Sequence, residues 1–250
     1  MLEQAAEAAA NALRSGGKLA YVGAGSSGLM ALSDSLELAG TFGILPERTP
    51  MLFAGGAAAL LHMVGAVEDD LTLARADFNA AGLTKGDVAI CLSASGTTPY
   101  ALEVAALCRA VGATVAGIAN VAGSALLQAA DLPILLDTGP EVVNGSTRMG
   151  AATAQKVALN MISVLVGIRL GHVHDGYMVN VVADNAKLRD RAGRIVSALS
   201  GEGTEAALAA LQATGGAVKP AILVARGRSV AEAAGDLTAS GGHLAPWLKR

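Results

Sequence analysis

Four short runs of almost unbroken apolar character constrain this chain more than any other feature. They are residues 18–22 (KLAYV), 87–92 (DVAICL), 113–118 (ATVAGI) and 131–136 (DLPILL), with MLF at 51–53 as a shorter fifth candidate. A strand that is apolar at every position, rather than at alternate positions, has both faces covered, as in a parallel sheet between helices. Helix-length patterns fall between and around these runs, at 2–14, 28–39, 55–65, 71–81, 98–111 and 122–129. The β-α-β-α succession predicts a doubly wound α/β sheet with right-handed crossovers. Ligands in such sheets bind beyond the carboxyl ends of the strands.

After Pro140 the pattern changes. One long helix is predicted over 148–170 and another over 178–199. The last fifty residues read as short Ala-rich helices at 202–213, 217–226 and 229–238, with Pro220 near a helix start. The expected organisation is a sheet domain over 1–198 with a small C-terminal helical appendage over 199–250.

Composition closes off several functions. With 52% hydrophobic residues and 16% charged, the chain is too apolar for disorder. Its 18 Lys and Arg against 21 Asp and Glu give a net charge of −3, so no basic excess offers itself to nucleic acid or an anionic membrane. The uncharged stretch from Arg109 to Asp131 is long enough to raise a membrane span, but Gly112, Gly117, Asn120, Gly123 and Gln128 divide it into strand, turn and helix. The N-terminal segment carries acids and lacks the apolar core of a signal peptide. Cys91 and Cys108 lie in apolar patterns without C-x-x-C spacing, the usage of a reducing, cytoplasmic compartment.

Three polar loops follow strands. Gly23–Gly28 (GAGSSG) places Ser26 and Ser27 before a helix, where glycines let backbone approach an anion and the helix start offers unpaired N–H groups. Its G-x-G-x-x-G spacing matches the dinucleotide fingerprint, but the acid expected about twenty residues on falls near Glu47, away from any strand end. The second loop, Ser93–Pro99, carries four hydroxyls, Ser93, Ser95, Thr97 and Thr98, ahead of a helix opened by Pro99. A plain helix cap needs one hydroxyl, whereas four suit a phosphate cradle. The third loop, Glu141–Gly150, brings Asn144, Ser146, Thr147 and Arg148 to the start of the long helix, and reads equally as a capping loop or a binding loop.

Two acids suit proton transfer. Glu37 stands late in the helix after the glycine loop, where the macrodipole prefers a cation, and Glu68 opens the triplet Glu68-Asp69-Asp70 before a helix. The triplet also reads as a solvated helix start, and Glu37 as a surface residue. His172 and His174 are too close for helical metal spacing, so no metal site is expected. No nucleophilic serine motif of the G-x-S-x-G type is present.

Taken in order, GAGSSG, Glu37 followed by TFG, VEDD at 67–70, SASGTTPY at 93–100, GPEVVNGSTRM at 139–149 and TAQKVALNMIS at 153–163 resemble the N-acetylmuramic acid 6-phosphate etherases of the sugar isomerase (SIS) superfamily. The likeness covers roughly residues 5–240, with a short N-terminal stretch by comparison. It implies a five-stranded parallel α/β fold and cleavage of the D-lactyl ether of a phosphorylated amino sugar, without metal or organic cofactor. It assigns Glu68 as the base that takes the C2 proton and Glu37 as the acid that protonates departing lactate. Ser93, Ser95, Thr97 and Thr98 would hold the 6-phosphate, while Ser26, Ser27, Asn144, Ser146 and Thr147 would line the sugar site. A homodimer with shared sites is implied as well. The sequence departs from the family at Leu29 and Thr97, where the pattern usually has Arg, at Ala39-Gly40, where it has a proline pair, and at Gly150, where it has Lys. An aldose–ketose isomerase and a non-catalytic sugar-phosphate regulator share the fold. Retention of both glutamates favours an enzyme.

Overall fold

The computed structural model describes residues 1–62, 65–183 and 185–248. The chain forms two compact units, Met1–Leu36 with Leu45–Val166, and Glu37–Ile44 with Gly167–Arg250.

The first unit opens with α1 (Leu2–Arg14), which buries Ala5, Ala6, Ala9 and Ala10 along one stripe. It leads into β1 (Leu19–Gly23) and α2 (Gly25–Phe42), whose last turns fall in the second unit. β2 (Met51–Phe53), α3 (Gly56–Leu61), a 3-10 turn at Gly65–Asp69, α4 (Leu71–Ala81) and β3 (Val88–Leu92) follow. Next come α5 (Pro99–Ala110), β4 (Thr114–Ala119), α6 (Ala125–Ala129), β5 (Leu132–Leu135) and α7 (Gly150–Arg169). All five strands are parallel, in the order β2-β1-β3-β4-β5. Every residue of β1 and β3 is buried, the outcome expected of continuous apolar runs covered on both faces. At one edge, β5 is half exposed and holds Pro133, which the interior of a sheet would not tolerate.

Each expected strand is present to within a residue. The glycine-loop helix differs, because it begins at Gly25 rather than residue 28 and takes Ser26 and Ser27 into its first turn. The expected helix over 55–65 includes Met63 and Val64, which lie outside the described residues. On α7 the exposed apolar residues are Val157, Met161, Val164 and Ile168, at spacings of four, three and four.

A buried carboxylate ties three of these elements together. Asp34 of α2 is 4% exposed. It accepts hydrogen bonds from Tyr21 Oη of β1 at 2.7 Å, and from Asn160 Nδ2 and Ser163 Oγ of α7 at 2.6 and 2.9 Å. Burial, with the Asp34 charge second, holds the Tyr21 phenol well above its ordinary range, so the hydroxyl remains a donor.

The second unit is helical: α8 (Ala186–Ser200), α9 (Thr204–Ala213), α10 (Val218–Ala225) and α11 (Val230–Ala239) close on a core that includes Val179, Ile195, Val196, Leu211, Ile222 and Leu223. Sequence-visible signals set the ends. Asn185 caps α8 and Gly201 ends it in the left-handed region, while Ser229 and Glu232 form a reciprocal capping box on α11. Pro220 sits in the first turn of α10, where its missing N–H has no intrahelical partner to lose.

The helix expected to begin at residue 178 begins instead at Ala186, and Asp184 within the expected span lies outside the described residues. Upstream, β6 (Val173–His174) pairs antiparallel with β7 (Tyr177–Met178). The two-residue connection is Asp175-Gly176, at φ 46° and 78°, the Asp-Gly hairpin signal of a turn that needs positive φ twice.

His172, just before this hairpin, is pushed down to about 4 by burial first and by the Lys219 charge second, against a backbone hydrogen bond with Phe42 that raises it. Its folded value lies below the unfolded one near 6.5. Below 6.5 the unfolded chain therefore takes up more protons, and stability is lost as pH falls from 6.5 toward 4. The urea midpoint should drop between pH 7 and pH 5, and His172→Gln should flatten that drop. An unchanged slope in the variant would remove His172 as its source.

Candidate active site

In the order β2-β1-β3-β4-β5 the chain leaves β1 for one side of the sheet and later crosses to β3 on the other. The loops after β1 and β3 therefore part at a switch point, the place where such sheets hold ligands.

At β1, three glycines shape the crossing. A Cβ on Gly23 would lie 2.9 Å from Gly28 Cα, and one on Gly28 would lie 2.7 Å from the Phe53 ring, so strand and helix pack backbone to backbone. Gly25 turns at φ 52°, and a Cβ there would stand 2.6 Å from Glu68 Oε1. The space left by the missing side chain is where the Glu68 carboxylate sits. Ser27 is buried and Ser26 half-buried in the same helical turn. Glu47 is exposed in a 3-10 turn before β2, away from the strand's carboxyl end, which counts against the dinucleotide reading.

The structure divides the acidic triplet. Asp70 caps α4, its Oδ1 accepting from Thr72 N at 2.9 Å and Leu73 N at 3.0 Å. Glu68 instead lies half-buried against the glycine turn. Burial first, and the Asp69 charge second, hold its carboxyl above the ordinary range. A base with a raised pKa holds its proton more tightly once taken.

At β3, the four hydroxyls join into one network. Ser93 Oγ, buried, lies 2.8 Å from Thr98 Oγ1 and 3.3 Å from Ser95 Oγ, and Ser95 Oγ lies 2.9 Å from Thr97 Oγ1. Ser93 Oγ also accepts from Gly96 N at 3.0 Å. Thr98 holds the N-cap position of α5, yet its side chain makes no capping hydrogen bond. The plain capping reading therefore fails for this loop. Ser95 and Thr97 are exposed, so the network opens to solvent beside the start of a twelve-residue helix. Such a group of donors and helix N–H groups can hold a phosphate without a cation.

In the third loop the capping role falls to Glu141, whose two oxygens accept from Gly150 N at 2.9 Å and Ala151 N at 2.8 Å. Those two bonds hold its carboxyl below the usual range. Ser146 Oγ accepts from Arg148 Nε at 3.1 Å, Thr147 is half-buried, and Asn144 is exposed. Glu37 is exposed on the part of α2 that belongs to the second unit.

Sequence reasoning missed Asn120, which it treated only as a break in an apolar stretch. Directly after β4, Asn120 N donates to Ala94 O at 2.9 Å, Nδ2 donates to Leu136 O at 2.9 Å, and Oδ1 accepts from Gln155 Nε2 of α7 at 3.0 Å. Through its main-chain N and its side chain, Asn120 thus ties the second loop to the segments on either side of the third. The signal was its place at a strand's carboxyl end.

A SIS domain model matches residues 1–120, and the sheet with its two switch-point loops defines a SIS-domain protein. The chain is 47% identical over 243 residues to the N-acetylmuramic acid 6-phosphate etherase of Deinococcus radiodurans, across 97% of this chain and 80% of that protein. Against the enzyme of the same description from Geobacillus thermodenitrificans it is 43% identical over 213 residues, 85% of this chain and 72% of that one. The chain belongs to the N-acetylmuramic acid 6-phosphate etherase family. Among solved structures, a candidate phosphosugar isomerase involved in capsule formation from Bacteroides fragilis shares the fold, with TM-score 0.54 and 22% identity over 70% of this chain and 82% of that one.

Proposed function

We infer that this enzyme cleaves the D-lactyl ether of N-acetylmuramic acid 6-phosphate, giving N-acetylglucosamine 6-phosphate and D-lactate. The observation that carries the reading is the Glu68 carboxylate, seated in the space left by Gly25 at the β1 loop and raised in pKa, with the hydroxyl network one strand away at the β3 loop. The network supports a phosphate grip by Ser93, Ser95, Thr97 and Thr98. Ser26, Ser27, Asn144, Ser146 and Thr147 line the sugar.

In the opened sugar the C1 aldehyde acidifies C2, so proton removal needs no metal or organic cofactor. Glu68 takes the C2 proton, the electron pair forms the C2–C3 double bond, and the C3–O bond breaks. Glu37 supplies the proton for the departing lactate oxygen. Water then adds at C3 of the unsaturated aldehyde and C2 is reprotonated. Each acid–base group contributes about 10²–10⁴-fold.

The enzyme works as a homodimer: the 4-3-4 spacing of Val157, Met161, Val164 and Ile168 on α7 is that of a helix–helix seam, supporting a second copy as its cover. The free, buried thiols of Cys91 and Cys108 support a cytoplasmic setting.

D-Lactate release from N-acetylmuramate 6-phosphate by the purified protein tests the reading. Glu37→Gln should lose lactate release and keep exchange of the C2 proton with solvent. No release by the unaltered protein would overturn the etherase reading, and full release by the variant would overturn the role of Glu37.

A further inference from the structure

The proposed substrate carries two anions, a phosphate and the lactyl carboxylate, and the hydroxyl network at β3 accounts for the first alone. Among the segments that join each sheet strand to its following helix (residue 24, 54–55, 93–98, 120–124 and 136–149), Arg148 is the only Lys or Arg. Its Nε is fixed by Ser146 Oγ at 3.1 Å, which aims the guanidinium while leaving its planar end to meet a ligand. A cavity of about 310 Å³ opens beside it, lined by Glu141, Val143, Ser146, Arg148 and Met149. Both oxygens of Glu141 are turned onto the amides of Gly150 and Ala151. Its charge is thereby held against the amides of the helix start, where the macrodipole favours an anion.

We propose that this cavity is the lactyl pocket, with Arg148 pairing the lactyl carboxylate and Val143 and Met149 receiving the lactyl methyl. The proposal rests on the etherase reading. The guanidinium fork matches a carboxylate bidentately, a geometry that neutral hydroxyls lack. The apolar walls suit a methyl group, which a phosphate subsite would not need. Asn120 ties the β5 end and α7, which frame this loop, to the phosphate loop, so both ends of one ligand are held from a common support.

The test compares two ligands that differ only by the lactyl group. Arg148→Gln should raise KM for N-acetylmuramate 6-phosphate 10-fold to 100-fold, leave inhibition by N-acetylglucosamine 6-phosphate within about twofold, and leave the urea midpoint unchanged. Arg148→Lys should recover part of the loss. Equal weakening of both ligands would place Arg148 on the phosphate, and no weakening of either would remove it from the site; each result overturns the proposal. If the unaltered protein releases no lactate, the etherase reading falls, and calorimetric affinities for the same two sugars still decide the pocket. A lactyl preference lost in Arg148→Gln supports it, and equal affinities overturn it.

Discussion

Glu68→Gln should abolish exchange of the substrate's C2 proton with solvent and with it lactate release, each by about 10²–10⁴-fold. Glutamine keeps the shape that occupies the space above Gly25 but cannot take a proton, so the fold and ligand binding should persist. Proton NMR in deuterated buffer reads the exchange directly. Exchange at the unaltered rate would mean that another group is the base. The pH profile gives a second check on the same residue. The base must be ionised, and burial and Asp69 raise its pKa, so the acid limb should lie above the ordinary carboxylate range. Asp69→Asn removes the second cause and should move that limb to lower pH. A shift upward, or none, would contradict the assignment.

Asp34→Ala should be the most damaging substitution for stability. It removes the acceptor of three donors, Tyr21 Oη, Asn160 Nδ2 and Ser163 Oγ, in a place nearly closed to water. Leaving buried donors unpaired costs about 1–3 kcal/mol each, reduced where a water enters, so a loss of roughly 3–5 kcal/mol is expected. The urea midpoint should fall at unchanged slope. A loss under about 1 kcal/mol would show that the network contributes little. Asn160 and Ser163 also give meaning to the TAQKVALNMIS segment at 153–163: this part of α7 carries the side chains that anchor it to α2.

Strand positions were legible because continuous apolar runs have few alternatives. Their lateral order was not, since KLAYV, DVAICL and ATVAGI suit any place in a covered sheet. The hairpin at 173–178 was hidden behind its histidines, though Asp175-Gly176 announces it. In the site, the four hydroxyls around Gly96 stood out because they are contiguous. Glu68 was set apart from Asp69 and Asp70 only by the family likeness, because the physical distinction lies in what each touches: a glycine turn for Glu68, and the amides of α4 for Asp70. Asn120 acts through residues distant in the chain, so its place after β4 was the one sequence signal it offered.

Pro133 has a consequence for behaviour in a crowded solution. Leu136 N donates to Ala119 O, so the two-residue period turns the nitrogen of position 133 outward, where proline offers no hydrogen. The opposite border, β2, is three residues long. Neither border presents the long row of donors and acceptors on which another chain templates a fibril. Even at high concentration, neither margin of this sheet invites growth from molecule to molecule.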